Sequence, residues 1–405
     1  RYKRKESDYS FGINFQPNSR LTFGLNYERG SNISFNVSSR RNFLNDHSKF
    51  KTLKIKSNNR YENLRRILAL NNIGVSKISK KDDQLHLEMT QYQFNTFNEL
   101  DSVVSSSIDA SELQEVVVKS YGIAGLKIIE PNSKVEYEDN IYVRNNKGLN
   151  QAFSLNVRPF LASREEFFKG ALLLEHNSEI ILDEGLFFST NLKISLADNF
   201  DDLRYPPVDT YPAQVRSDIK QYLNNLGENI SIGRAQLEYF KTISKNNHFL
   251  LSLGIYEDMF SGYGFEYLNY SYDKQFSWGF DVHEAYKRDY EFGLGLLDYQ
   301  NITYHLNLFY RNEKVIPFDL KASAGEYLGG DKGITIELSR RFNNGVEFGV
   351  FSTFTDVGFN KFGEGSFDKG IFLKIPLGEN YNSLSNFIWR PLTKDPGSKL
   401  IRKND

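Results

Sequence analysis

The residues best suited to binding chemistry lie in one long loop, residues 198–228. Its acidic, arginine and tyrosine side chains are Asp198, Asp201, Asp202, Arg204, Tyr205, Asp209, Tyr211 and Arg216. Sugar chains bind to aromatic faces and to Asp, Asn or Arg hydrogen bonds, and arginine also pairs with the carboxylates of acidic polysaccharides through two parallel bonds. The alternative is a loop stiffened by three prolines that plugs or braces the fold, followed by a short helix over 213–226. We favour the bracing loop over glycan binding.

Two further chemistries are weaker matches. Asp198, Asp201 and Asp202 lack the rest of an EF-hand pattern, so we predict no metal site and no cofactor. Ser277, Asp281 and His283 share one strand face and could begin a hydrolase triad. Same-face neighbours are about 7 Å apart, too far for direct hydrogen bonds without a partner strand, and no G-x-S-x-G motif is present. We predict a polar lining for these residues and for His305, and no enzymatic activity.

Charged residues near the end of the chain suggest a braced rim. Glu364, Asp368 and Lys369 lie in the segment FGEGSFDKG, and Arg340 and Arg341 end a nearby predicted strand. These groups are expected to form ion pairs, with structural bracing favoured over sugar contact. Another basic group, Arg60, Arg65 and Arg66, belongs to a predicted helix and is interpreted as a solvated face.

Composition narrows the class of protein. The 405 residues carry 50 Lys and Arg against 51 Asp and Glu, a net charge of −1 that gives no field for holding a nucleic acid. Cysteine is absent, which excludes disulfides and thiol chemistry. Aromatic residues make up 15% while mean hydropathy is −0.51, so neither a helical membrane protein nor a disordered chain fits. A soluble all-β protein or an outer-membrane β-barrel remains.

The chain divides into three zones by pattern. Residues 8–43 alternate with period two, as in a meander of short strands. Residues 50–145 indicate a small α/β module. Asn59 is expected to cap a helix that closes near Gly74, the strand of Leu85 to Met89 follows it, a second helix runs through Phe94 to Leu100, and a third element begins at Ser111. Residues 148–391 return to alternating strands, with about ten strands in 229–391.

Strand length and the chemistry of the second face favour a barrel over a sandwich. The runs are about 10–12 residues, and eleven tilted residues rise about 25 Å, which matches the apolar band of an outer-membrane barrel. The opposite face carries Lys321, Glu337, Glu347 and Lys374. Burying these charges in a sandwich core would cost several kcal/mol each without partners, whereas a wet lumen removes most of that cost.

Several long segments resemble the YjbH/GfcD family of exopolysaccharide and group 4 capsule proteins. They are ADNFDDLRYPPVDTYPAQVRSDIKQYL at 197–223, NFQPNSRLTFGLNYERG at 14–30, GDKGITIELSRRFNNGVEFGVFSTFTDV at 330–357, FGEGSFDKGI at 362–371 and WRPLTKD at 389–395. The resemblance implies a Gram-negative outer-membrane β-barrel lipoprotein, and the chain is interpreted as the C-terminal portion of one. No catalytic residue is implied.

The resulting fold prediction is a mainly β, antiparallel transmembrane barrel with an inserted small periplasmic α/β domain. Residues 1–44 would finish a preceding barrel segment, 45–147 would form the periplasmic domain, and 148–405 would form the barrel segment. Counting strands back from a periplasmic end places loops 198–228, 286–299 and 356–367 in the periplasm, although long loops are normally extracellular.

The functional prediction is a passive outer-membrane component of exopolysaccharide or capsule export. Its expected partners are polysaccharide, other export proteins and outer-membrane lipid, with no nucleic acid. The alternatives are a scaffold barrel without glycan passage, a membrane-embedded hydrolase and a soluble β-sandwich adhesin.

Overall fold

A computed structural model describes most of the chain. The described residues are 11–18, 21–28, 32–39, 52, 58–71, 73–81, 84–91, 94, 97–108, 113–120, 123–128, 139–143, 147–161, 168–201, 203, 215–216, 218–227, 230–244, 246–270, 274–291, 293–312, 317–342, 346–357, 367–376, 386–389 and 397–403. Six predicted site residues lie outside them: Asp202, Arg204, Tyr205, Asp209, Tyr211 and Glu364.

The first described strands form a meander of their own. Phe11–Asn18 (β1), Leu21–Glu28 (β2) and Asn32–Ser39 (β3) pair antiparallel in chain order. This sheet confirms the period-two alternation that the sequence indicates, with Phe11, Ile13 and Phe15 more than half exposed on one face. It belongs to a compact unit of residues 1–47 with 342–344, and the rest of the chain forms a second unit.

The next elements form a five-stranded mixed sheet with two helices. They are Arg60–Leu70 (α1), Ile73–Lys81 (β4), Gln84–Gln91 (β5), Phe97–Ser105 (α2), Leu113–Ser120 (β6), Ile123–Ile128 (β7) and Asp139–Val143 (β8). The strand order is β7-β6-β5-β4-β8, and β5 and β6 are parallel with α2 between them in the chain. Leu68, Ile78 and Leu87 are fully buried in the core that the helices cover.

The sequence predicts the start of α1 better than its end. The side chain of Asn59 accepts hydrogen bonds from the N–H groups of Tyr61 and Glu62, which confirms the expected cap. The helix ends at Leu70, with Asn71 as its C-terminal cap, instead of near Gly74, because Gly74 already belongs to β4. The element expected from Ser111 is the strand β6.

Thirteen described strands form the largest sheet. They are Gly148–Leu161 (β9), Phe168–Asp183 (β10), Leu186–Asp198 (β11), Ser231–Ser244 (β12), Asn247–Ile255 (β13), Phe260–Asn269 (β14), Phe276–Arg288 (β15), Leu296–Asn312 (β16), Phe318–Glu326 (β17), Lys332–Arg341 (β18), Glu347–Thr355 (β19), Asp368–Pro376 (β20) and Asn386–Trp389 (β21). Each strand pairs antiparallel with its neighbour in sequence. The mainly β, antiparallel fold is therefore confirmed, and the described residues of 229–391 contain ten strands, as expected.

A short helix lies between β11 and β12. It spans Ile219–Asn224 (α3) and continues as a 3-10 turn over Asn225–Gly227. The expected helix over 213–226 is thus shorter within the described residues, since Val215 and Arg216 form a bend before it. None of the helices in the described residues is both long and apolar enough to cross a membrane.

The two faces of the large sheet differ in polarity and exposure, in the opposite sense to a protein with an apolar core. On β16, Ile302, Leu306 and Leu308 are 53%, 49% and 40% exposed, whereas the alternating Thr303 and His305 are almost fully buried. Strand β15 repeats the pattern. Because side chains alternate along a strand, one face of the sheet is apolar and exposed, and the other is polar and buried. We call these the apolar face and the polar face.

Candidate functional site

The polar face is the candidate functional site. Its buried polar side chains include Ser189, Gln236, Glu238, Ser252, Asp281, His283, Thr303, His305, Ser323, Thr335 and Thr353. The strand register places them beside one another: Ser189 pairs with Gln236, Glu238 with Ser252, and Asp281 with His305. The polar residues at every second position of each strand therefore form one polar surface across many strands.

Asp281 contacts several other polar side chains of this surface. His305 Nδ1 lies 3.2 Å from its Oδ2, and Asn307 Nδ2 donates to its Oδ1 at 2.7 Å. His283 Nδ1 is farther from the same carboxylate, at 3.9 Å. Ser277 is near one end of β15, two same-face steps from Asp281. The partner strand β16 thus engages Asp281, and the arrangement supports the predicted polar lining.

Arg216 is the predicted loop residue that the structure binds most firmly. Both of its terminal nitrogens donate to the carboxylate of Glu257, at 2.5 and 2.6 Å, and one also donates to the carbonyl of Lys399 at 2.8 Å. Arg216 is 1% exposed, and its guanidinium lies over the ring of Phe260. Such a bidentate, buried pair fixes the loop against the turn between β13 and β14.

A second buried cation holds the helix α3. Lys287 Nζ donates to the carbonyl of Val215 and to Asp218, both at 2.7 Å, and Asp218 also accepts from the hydroxyl of Tyr290 at 2.9 Å. The hydroxyl of Tyr222 donates to the carbonyl of Arg288. Burial, with Asp218 nearby, raises the pKa of Tyr222 well above its usual range, so the phenol remains a donor.

Arg288 organises the adjacent strand ends. Its terminal nitrogens donate to the carbonyls of Ile232, Glu257, Asp258 and Gly293, at 2.8 to 3.0 Å. It is 1% exposed. Sequence periodicity does not reveal this role or that of Lys287, because the groups they contact are up to 72 residues away.

Asp258 forms ion pairs with two cationic side chains from strands that are distant in sequence. Arg158 donates to it at 2.7 Å and Lys193 at 2.8 Å. Burial alone would raise the pKa of Asp258, but Lys193 and Arg158 together hold it well below its usual range. The carboxylate therefore stays ionised and ties the β13–β14 turn to β9 and β11.

A second segment, residues 397–403, lies on the polar face. The N–H of Leu328 donates to the carbonyl of Ser398 at 2.9 Å, and the N–H of Ile401 donates to Glu257 at 3.1 Å. Arg402 pairs with Glu266 at 2.7 Å, and Lys403 pairs with Glu179. We refer to 397–403 as the crossing segment, because its contacts run from the β17–β18 turn to β10.

Asp331 anchors the start of the crossing segment and predicts a pH dependence. Its Oδ2 accepts from the N–H of Gly397 at 2.7 Å, and burial raises its pKa to about 6 from 3.8. The folded state therefore holds the proton more tightly than the unfolded state, and the free energy of unfolding falls as pH rises from about 4 to about 6. Asp331→Asn keeps an acceptor and should stabilise the protein above that window by about 3 kcal/mol.

Urea unfolding of detergent-solubilised protein across this pH window measures the effect. The variant and the wild type should coincide at the acid end and diverge above it. Asp298→Asn, the same change at an exposed position, serves as the control and should follow the wild type throughout. A parallel pH profile for Asp331→Asn and the wild type would contradict the assignment.

The structure separates the predicted rim residues. Arg341 lies 3.7 Å from Glu347 at the start of β19, whereas Asp368 pairs in register with Thr353 near the end of that strand. Six residue steps along β19, about 20 Å, separate Glu347 from Thr353. Antiparallel pairing therefore places the arginines and the acidic group at opposite ends of β19. Lys369 Nζ lies 4.5 Å from the ring centre of Phe367 and Arg340 is exposed.

The remaining predicted residues lie at turns, at a strand end and on a helix surface. Asp201 is exposed in a turn after β11, and Asp198 accepts from the hydroxyl of Ser195 at 2.7 Å. In the part of the chain that the structure describes, no three His, Cys, Asp or Glu side chains are grouped closely enough to hold a metal ion. In the α/β module, Arg66 pairs with Glu62 and Arg65 lies over the ring of Tyr142, as solvated helix residues can.

The fold and this polar surface define a β-sheet protein with a buried polar face and an exposed apolar face. Comparison with known proteins identifies the class: the chain belongs to the YjbH family of exopolysaccharide biosynthesis proteins, whose family model matches residues 84–405. That range begins with β5 and includes the whole large sheet.

A particular relative is the lipoprotein YjbH of Escherichia coli (strain K12), which is 29% identical over 290 residues. The match covers 68% of this chain and 40% of that protein, so the chain spans less than half the length of its relative.

Proposed function

We propose that residues 148–405 form a segment of an outer-membrane β-barrel that serves exopolysaccharide or capsule export. The single observation that carries the proposal is the inverted polarity of the large sheet, with the apolar face exposed and the polar face buried. In water, an exposed apolar surface of this extent is unfavourable and normally marks a surface for another apolar phase. In a membrane barrel, lipid hydrocarbon tails would cover the apolar face, and water in the interior would hydrate the polar face.

The distribution of charge along β18 supports a membrane belt. Ile334, Ile336 and Leu338 are 44% to 48% exposed on the apolar face, and the charged residues on that face, Lys332 and Arg340, stand at the two ends of the strand. Long cationic side chains at the ends of a spanning strand can reach the polar interface. The neighbouring strand β19 continues the belt with Phe348 and Val350.

The rest of the chain fits a periplasmic and tandem arrangement. We place residues 45–147 in the periplasm as a docking module for other export proteins, with loop 198–228 on the same side, and we assign residues 1–44 to a preceding barrel segment. Family membership in exopolysaccharide biosynthesis and the lipoprotein character of the relative support this compartment. No chemical step is assigned to the protein.

The polar face is the surface offered to glycan. It combines hydroxyl, amide and charged groups, and Lys321 and Glu337 stand opposite one another on β17 and β18. Such groups hydrogen-bond sugars without needing a deep apolar pocket. A second candidate function is a scaffold barrel without glycan passage, and the packing of α3 and the crossing segment on the polar face favours it.

Conductance in planar bilayers tests the proposal and separates the two candidates. The full-length protein is measured with and without purified exopolysaccharide. Steady conductance that the polysaccharide blocks is expected for transport, whereas a silent bilayer with protein inserted favours the scaffold. Recovery of the protein in buffer without detergent would remove the membrane placement and both candidates with it.

A further inference from the structure

The crossing segment places two cations against a row of carboxylates on the polar face. Lys403 Nζ contacts Glu179 and donates to the hydroxyl of Ser189 at 2.7 Å, and it lies 4.0 Å from Glu238. Arg402 pairs with Glu266 at 2.7 Å. We call Glu179, Glu238 and Glu266 the carboxylate row. Three anions thus face two cations that belong to a segment with no regular secondary structure.

The register of the strands brings the carboxylate row together. Glu179 stands opposite Ser189 on β11, which stands opposite Gln236 on β12, and Glu238 is the next residue on the same face. Glu266 on β14 pairs with Leu250 on β13, one same-face position beyond the partner of Glu238. These acids come from strands distant in sequence, and their proximity is a property of the assembled sheet.

Gln236 gives a second, independent sign of a ligand at this place. Its amide nitrogen donates to Glu238 at 2.9 Å, which fixes the orientation of the amide. Its carbonyl oxygen is then buried with no hydrogen-bond partner in the described part of the chain, and the residue is 0% exposed. A buried amide oxygen without a donor is costly, and an ammonium or hydroxyl group arriving here would satisfy it.

We propose that the carboxylate row and Gln236 form a binding site for sugars that carry ammonium groups. In the structure, the side chains of Lys403 and Arg402 of the crossing segment occupy this site. The proposal rests on the proposed function, since it names the class of glycan that the polar face would take. Lys403 shows where an ammonium group fits. Leu400 anchors the segment in the apolar core, so the competition concerns the side chains of Arg402 and Lys403, which follow that anchor in the chain. The crossing segment therefore competes, within the same chain, with a sugar ligand for this site.

Residues with small or no side chains stand beside the carboxylate row, on the same side of the sheet. Ser252 is opposite Glu238, and Gly262 and Gly264 face the same side of β14. A side chain at Gly264 would lie 2.3 Å from an atom of the His283 ring, so this position must stay small. Charge complementarity then selects an amino sugar over a neutral one.

The test measures binding directly and does not depend on conductance. A glucosamine hexamer, slightly below neutral pH, is titrated calorimetrically into detergent-solubilised full-length protein and into the variant Arg402→Gln/Lys403→Gln. Because a site that is occupied in cis lowers apparent affinity by the free fraction, the variant should bind about tenfold more tightly. Adding Glu238→Gln to the variant should remove most of that gain.

Two ligands and one variant are matched controls. The N-acetylated glucosamine hexamer lacks the ammonium groups and should bind neither protein appreciably. Hexalysine carries the same number of side-chain ammonium groups on a peptide and should bind more weakly than the amino sugar. Lys332→Gln, which removes an exposed cation paired with Glu326, should leave affinity at the wild-type value.

Unchanged affinity in Arg402→Gln/Lys403→Gln overturns the competition, and equal binding of the N-acetylated hexamer overturns the ammonium specificity. Tighter binding of hexalysine would assign the row to a cationic peptide instead. The proposed function fails separately, by recovery of the protein in buffer without detergent, and the titration can be run in either case.

Discussion

Leu306→Arg is expected to stop the protein from assembling stably in a membrane. Leu306 lies mid-strand on the apolar face of β16, is 49% exposed and is flanked across the sheet by Phe280 and Ala324. A cation at the midplane of the lipid-facing side of a barrel costs about 2–4 kcal/mol. In a protein surrounded by water, the same change at a half-exposed site would be nearly neutral. The measurement is the fraction folded in lipid vesicles against urea, with mobility on unheated gels as a second readout.

Leu294→Arg is the matched control. Leu294 is 81% exposed in the loop between β15 and β16, so this substitution is chemically the same as Leu306→Arg but lies outside the proposed membrane belt. It should fold and insert like the wild type. Equal behaviour of the two arginine variants would argue against lipid on the apolar face, whatever the number of strands.

Arg216→Met should destabilise the fold by about 3–5 kcal/mol. The change leaves the carboxylate of Glu257 buried with its bidentate partner removed, and it also frees the carbonyl of Lys399. An uncompensated buried charge costs far more than the pair itself contributes. Urea unfolding midpoints in detergent measure the loss. The double variant Arg216→Met/Glu257→Met should recover much of it, since an apolar pair of similar volume replaces both charges.

Arg311→Met provides the comparison for an exposed pair. Arg311 donates to Asp319 at 2.8 Å, but both side chains are about one-third exposed. Removing this cation should change stability by less than about 1 kcal/mol. If both arginine variants lost the same stability, burial would not be the cause of the Arg216 effect.

Local alternation explains how much of the fold could be predicted from the sequence. The faces of β15 and β16 follow from period two alone, which separates apolar Phe280 and Leu306 from polar Asp281 and His305. The cap at Asn59 is equally local. The partner of Arg216 is 41 residues away, and proximity of that kind depends on the register of the whole sheet. The sequence therefore indicates Arg216 as a candidate but cannot identify Glu257 as its partner.

The crossing segment could not be predicted for a related reason. Residues 397–403 have neither period two nor a helical pattern, so they resemble an ordinary tail. Their role comes from Arg402 and Lys403 meeting acids on β10 and β14, more than 130 residues earlier. Opposite signs of charge alone do not choose among the 51 acidic residues of the chain. The ion pairs expected between the arginines at 340–341 and the acidic segment at 364–369 show the same difficulty, since sequence proximity does not reveal opposite strand ends.

The sequential strand order also has a kinetic consequence. From β10 to β21 every strand pairs with its immediate predecessor. Most of the ladder can therefore grow hairpin by hairpin, with the β11–β12 connection, residues 199–230, as a long exception. The crossing segment touches β10, β14 and the β17–β18 turn, and its contacts can form only after all of these are in place. Docking of residues 397–403 therefore follows the assembly of the strands from β10 to β18, and its ion pairs report that this part of the ladder has formed.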